Sequence, residues 1–236
     1  MKRPARLAVR LLSILAPIVL LAPSAAADSL SGALVISEIM YHPPDWNDIS
    51  SRDLEFIELH NAGESTLDLG GLRFSAGIDY AFPSGVTLAP DAYLVLTASA
   101  DAFTAKHGTT PFDVYTGQLS TSGETLVLQA ASGETVLRQS YGDGSGWPCG
   151  PDGGDFSLVL ANVREPALAS SWRISTSAGG SPGAADPPPP DDPPQIVVNE
   201  VLAHTDPPDQ DAVELYNPTP YDQHVGGWFL SDTPDA

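Results

Sequence analysis

The sequence predicts an all-β chain: one sandwich-type module followed by the beginning of a second copy. Three observations predict it. Short runs rich in aliphatic and aromatic residues recur at 34–40, 54–61, 93–98, 126–130 and 135–141. Turn clusters punctuate them at Ala62-Gly63-Glu64-Ser65, Thr121-Ser122-Gly123 and Ser132-Gly133. Sequence blocks also recur in a fixed order, the mark of an internal repeat. Short strands at this spacing read as a sandwich or barrel.

The N-terminus comes first. Lys2, Arg3, Arg6 and Arg10 precede an apolar stretch at 11–22 broken by Pro17, and Ala25 and Ala27 occupy the positions a signal peptidase reads. The pattern predicts a secretory leader cut between Ala27 and Asp28. As an uncleaved anchor, a helix over 11–22 would span roughly 18 Å, short of the ~30 Å hydrocarbon core. The expectation is a secreted chain, extracellular or at the cell surface, with no membrane span after cleavage.

Charge narrows the partners. The chain has 10 Lys+Arg against 30 Asp+Glu, a net charge of −20. Four of those bases and none of the acids precede Asp28, so cleavage takes the charge to −24. Such a surface repels phosphate backbones and excludes nucleic acid as a partner. Cys149 is the only cysteine, so no internal disulfide can form, and it reads as a small buried hydrophobe.

Along the first module, Asp91-Ala92-Tyr93 after Pro90 reads as a tight turn entering a strand. Only 100–107 looks helical, with Ser99 able to cap its start and Gly108 its end. The module, over 33–185, is large enough to bury a core without disulfides. Residues 186–194 hold six prolines around Asp191 and Asp192. Such a run cannot donate to a sheet and extends as a polyproline helix, roughly 28 Å for nine residues.

Beyond that linker the opening of the module returns. Val35-Ile36-Ser37-Glu38-Ile39 is answered by Val197-Val198-Asn199-Glu200-Val201, and Glu58-Leu59-His60-Asn61 by Glu214-Leu215-Tyr216-Asn217. Leu69-Gly70-Gly71-Leu72 is answered by Val225-Gly226-Gly227-Trp228. Residues 195–236 hold only the N-terminal part of a second module, so the expectation is a fragment whose unpaired strand edges would otherwise be exposed.

These blocks resemble the lamin tail domain family, an immunoglobulin-like β-sandwich found in nuclear lamins and in secreted bacterial proteins. The resemblance rests on the hydrophobic-Ser/Asn-Glu-hydrophobic strands, on Glu55-Phe56-Ile57-Glu58-Leu59-His60-Asn61, and on Leu67-Asp68-Leu69-Gly70-Gly71-Leu72-Arg73-Phe74 with its counterpart at 225–232. Phe82-Pro83-Ser84-Gly85-Val86-Thr87-Leu88-Ala89-Pro90 is similar to the family's next hairpin. Trp147-Pro148, Asp152-Gly153-Gly154-Asp155-Phe156-Ser157-Leu158, Ser171-Trp172 and Gly180-Ser181-Pro182-Gly183 look like the closing pattern of bacterial members. A coiled-coil rod, a nuclear signal and a prenylation cysteine are absent from this sequence, so lamin biology does not transfer. The resemblance implies attachment or interaction and no catalytic residues.

Candidate chemistry is sparse. Glu38 and Glu58, repeated as Glu200 and Glu214, fall in neighbouring strands and could present two carboxylates on one face. Hard cations such as calcium take ligands of this kind, but need six to eight oxygens; the plainer reading is that each glutamate accepts hydrogen bonds within the fold. Asp143-Gly144-Ser145-Gly146 and Asp152-Gly153-Gly154-Asp155 form a second acidic group, readable as a calcium site or as turns. Calcium at Glu38, Glu58, Asp143, Asp152 and Asp155 is thus the one metal candidate, and no other cofactor is expected. The five histidines show no zinc spacing, and neither a nucleophile elbow nor a phosphate-binding loop occurs. Trp147, Phe156 and Trp172 read as core. Two functions remain: an extracellular module for protein or cell-surface interaction or spacing, or an accessory module of a larger secreted nuclease- or kinase-like enzyme.

Overall fold

The computed structural model describes residues 30, 32–144, 146–189, 196–203, 210–219, 225, 228 and 230. The expected leader and its cleavage point lie outside these residues. The chain opens with β1 (Leu34–Met40), β2 (Phe56–Asn61), β3 (Leu67–Asp68), β4 (Arg73–Ala76), β5 (Ile78–Ala81), β6 (Thr87–Leu88) and β7 (Tyr93–Thr97). Helix α1 (Ala100–His107) precedes β8 (Asp113–Val114), β9 (Thr116–Gly117), β10 (Gly123–Gln129) and β11 (Thr135–Gly142). Then follow β12 (Leu158–Leu160), β13 (Trp172–Ile174), β14 (Val197–Leu202) and β15 (Ala212–Tyr216).

Two main sheets form the first module, with β3 and β6 paired as a short ribbon beside them. One has six strands in the order β13-β12-β1-β2-β7-β8, the other five in the order β11-β10-β4-β5-β9. Strand alternation assigns the faces: Ile57 and Leu59, with Leu94 and Leu96, point to the interior and meet Phe74, Ile78, Leu126 and Leu128 of the second sheet in one apolar core. Each such side chain contributes roughly 1.5–3 kcal/mol by leaving water. Phe56 and Val95, at the alternate positions, point outward and are covered by Phe103 of α1, which meets Phe56 edge to face at 5.8 Å. The helix ends as expected. Ser99 Oγ accepts from the Ala102 amide, and Gly108 closes the helix in the left-handed conformation.

The Ile-Ser-Glu-Ile segment is a β-bulge. Ile36 stands opposite Leu59, but Glu38 stands opposite Glu58, so Ser37 is the extra residue on β1. Strict alternation would put Ile36 and Glu38 on one face. The extra residue turns Glu38 outward while Ile36 and Ile39 both stay in the core.

Several expectations need correcting. The run at 54–61 starts as a strand only at Phe56, because Ser50 caps a 3-10 turn over Ser51–Leu54. β10 starts at Gly123, since its first residues pair with β11 although they lack apolar alternation. Cys149 is half-buried, not enclosed. Trp172 is in the core, whereas Trp147 and Phe156 are only partly buried.

β14 and β15 form a separate hairpin with a bulge between Val198 and Glu200, and Glu200 opposite Glu214. Both strands are exposed along their length. No helix among the described residues is long and apolar enough to cross a membrane.

Candidate functional site

The bulge sets Glu38 and Glu58 side by side on the outer face, and the chain then closes over them. Each is 1% exposed. Residues 180–183 lie outside any strand pairing; the Gly180 amide donates to the Ser177 carbonyl at 3.1 Å, and those of Ser181 and Gly183 need acceptors other than the sheet ladder. The two carboxylates provide them. Ser181 donates its amide to Glu38 Oε1 at 2.9 Å and its hydroxyl to Oε2 at 3.2 Å. Gly183 donates its amide to Glu58 Oε2 at 2.6 Å. From the sheet, Ser157 Oγ donates to Glu38 Oε1 at 2.5 Å and Ser37 Oγ to Glu58 Oε1 at 2.6 Å.

Glycine is required in this segment. Gly180 has φ +78°, and a Cβ there would lie 2.0 Å from Glu38 Oε1. Burial pushes the Glu38 carboxyl up to about 7 against the donors from Ser157 and Ser181. Burial likewise pushes Glu58 up to about 8, opposed by the Ser37 hydroxyl and reinforced by the charge of Glu38.

A cleft of about 520 Å³ opens beside the pair, walled by His60, Tyr93, Val163, Arg173 and Pro188. His60 and Tyr93 stack with ring centroids 4.3 Å apart, and burial lowers the His60 pKa. The linker begins here under restraint. Asp186 is ion-paired with Arg173 and accepts the Thr176 amide at 3.0 Å, while Thr176 Oγ1 donates to the Pro187 carbonyl at 2.7 Å.

The aspartates named with the glutamates go elsewhere. Asp152 Oδ1 lies 2.5 Å from His42 Nδ1 at the surface. Asp155, at φ +60°, is ion-paired with Lys106 of α1. Asp143 is exposed. The structure thus brings Glu38 and Glu58 together and places Asp152 beside His42 and Asp155 beside Lys106. Among the described residues, no group of three or more His, Cys, Asp or Glu is arranged to hold a metal ion.

Sequence reasoning missed a third buried carboxylate. Glu55, 1% exposed, accepts the Leu119 amide at 2.8 Å and the Tyr115 hydroxyl at 3.2 Å, fastening the turn before β10. Burial pushes it up to about 7, against the Leu119 and Tyr115 donors. Its place in the Glu-aromatic-Ile-Glu block was the available signal. Ser157, Ser181 and Gly183 were marked only by their place in the closing blocks, which did not show what they touch, and the His42–Asp152 contact had no signal.

Two facing sheets, strands that alternate between core and outer face, and a closing segment pinned by buried carboxylates define an immunoglobulin-like β-sandwich. Residues 27–143 match the model of the Lamin Tail Domain family, which supports that family for the first module. This is a family of non-catalytic immunoglobulin-like domains. The match ends before β12 and β13, which complete the six-stranded sheet beside β1. No curated protein matches the chain.

Proposed function

We propose that the chain is an exported, non-catalytic array of lamin-tail-type modules that binds a protein or cell-surface component, or holds such partners apart. The observation that carries this reading is the correspondence between β1–β2 and β14–β15. Both hairpins have a bulge one residue before a glutamate, and both set that glutamate opposite a second one. Asn199 Nδ2 donates to Glu214 Oε1 at 2.7 Å where Ser37 Oγ donates to Glu58. An apolar hollow is lined by Ile196, Val198, Leu215, Val225, Trp228 and Leu230. Aligned by the repeat, these answer Leu34, Ile36, Leu59, Leu69, Leu72 and Phe74, all buried in the first core. A proline-rich spacer between repeated sandwiches suits display or spacing, and the N-terminal leader pattern suits export.

The test incubates the purified, fluorescently labelled full chain with intact cells and isolated envelope fractions. Saturable binding with the bound material chemically unchanged is expected. A covalently altered or cleaved product that accumulates with time would overturn the reading.

A further inference from the structure

The closing segment over the glutamate pair has an unusual electrostatic footing. Residues directly opposite in an antiparallel pair hold their Cβ atoms roughly 4.5–5.5 Å apart, and like charges there repel. Glu38 and Glu58 occupy such positions, each 1% exposed. Among the described residues, neither carboxylate takes part in an ion pair. Arg173, from β13, shares their cleft, but its guanidinium is bound by Asp186. Lys106 and His107 of α1 approach the closing segment at Gly179, and Lys106 is held by Asp155. Asp186 adds negative charge toward Glu38. His60 of β2 and Tyr93 of β7 face the cleft stacked on each other; β12 brings the apolar Val159 and Leu160 to it, and Ser157, just before that strand, donates its hydroxyl to Glu38.

The segment is tied independently at both ends. The Gly179 amide donates to the Asp155 carbonyl at 2.6 Å, and Asp186 is bound to Arg173 and Thr176. Between those ties, its bonds to the sheet are those of Ser181 and Gly183 to the two carboxylates. We propose that residues 179–186 form a strap with a proton-dependent latch: it stays closed while one carboxyl of the Glu38–Glu58 pair is neutral, and its middle lifts when both ionise. Lifting hydrates two like charges that the closed strap keeps from water, and this drives the opening. The elevated carboxyl ranges of both residues place the transition near and above neutrality.

The experiment is hydrogen exchange of the full-length chain at pH 6, 7, 8 and 9, each rate divided by the unstructured rate at that pH. Protection of the peptide covering 179–186 is expected to fall at least about tenfold between pH 7 and 9, as linkage requires above the latch's range. A peptide from β10–β11 serves as the folding control. In Glu58→Gln, which cannot ionise, the strap's protection is expected to stay level. Unchanged protection in the native chain, or the same loss in Glu58→Gln, overturns the proposal. Should Glu58→Gln lose protection in the control peptide, carboxyl 13C titration of the native chain decides instead. A Glu58 midpoint above neutrality supports the latch, and one in the ordinary carboxylate range overturns it.

Discussion

Ser37 Oγ meets Glu58 Oε1 at 2.6 Å, and Asn199 Nδ2 meets Glu214 Oε1 at 2.7 Å: the bulged residue of each hairpin donates to the glutamate on the neighbouring strand. The residue types differ while the bond is kept, so the bulge position requires a short donor rather than serine itself. Ser37→Asn is expected to retain the native melting temperature within a degree or two. Ser37→Ala, which removes the donor, should cost about 1 kcal/mol. Thermal unfolding of both variants checks it.

Gly180→Ala is expected to be far more damaging than a usual surface substitution. A left-handed backbone at a non-glycine residue costs on the order of 1–3 kcal/mol. In addition, the new methyl would sit 2.0 Å from Glu38 Oε1, so the strap or the carboxylate must shift. Urea unfolding of the full chain measures the loss, and a midpoint equal to the native one would contradict the packing described.

Stability should fall, not rise, as the solution becomes alkaline. Glu38, Glu55 and Glu58 all have carboxyl ranges raised by burial, to about 7, 7 and 8. Their folded forms hold protons that the unfolded chain has already released above its ordinary 4.5. The contribution is therefore fully present below about 4.5 and is lost as pH rises through 7 to 8. Urea midpoints at pH 5, 6.5 and 8 are expected to decrease in that order, and Glu55→Gln should flatten part of the slope.

Much of this fold was legible before any coordinates. β1 and α1 fall where the sequence puts them, because aliphatic density marks the one and Ser99 with Gly108 brackets the other. β12 and β13 were visible only as motif blocks, since three-residue strands carry too little periodicity to announce themselves. The glutamate pair was legible through its repetition. Its partners were not: Ser157 is 119 positions from Glu38, Ser181 is 143, and two of the bonds come from backbone amides, which leave no residue signature.

Calcium at the acidic positions has a direct comparison. Asp152 and Asp155 already have His42 and Lys106 as partners, and the Glu38–Glu58 pair accepts five hydrogen bonds. Millimolar calcium and magnesium at matched ionic strength are therefore expected to raise the melting temperature equally, by screening a −20 chain. A shift unique to calcium, removed by Asp152→Ala or Asp155→Ala, would restore an ion site there.

Glu38 and Glu58 act as the fasteners of the closing segment. Glu38→Ala in the full-length chain, followed by amide hydrogen exchange at pH 6, tests this most directly. Its removal leaves the Ser181 amide and the Ser157 hydroxyl without their acceptor, about 1–3 kcal/mol for each buried orphan. Residues 179–186 are predicted to lose protection in Glu38→Ala and to keep it in Asp152→Ala, whose partner is His42. A Glu38→Ala chain with the strap still protected and its melting temperature unchanged would contradict the account.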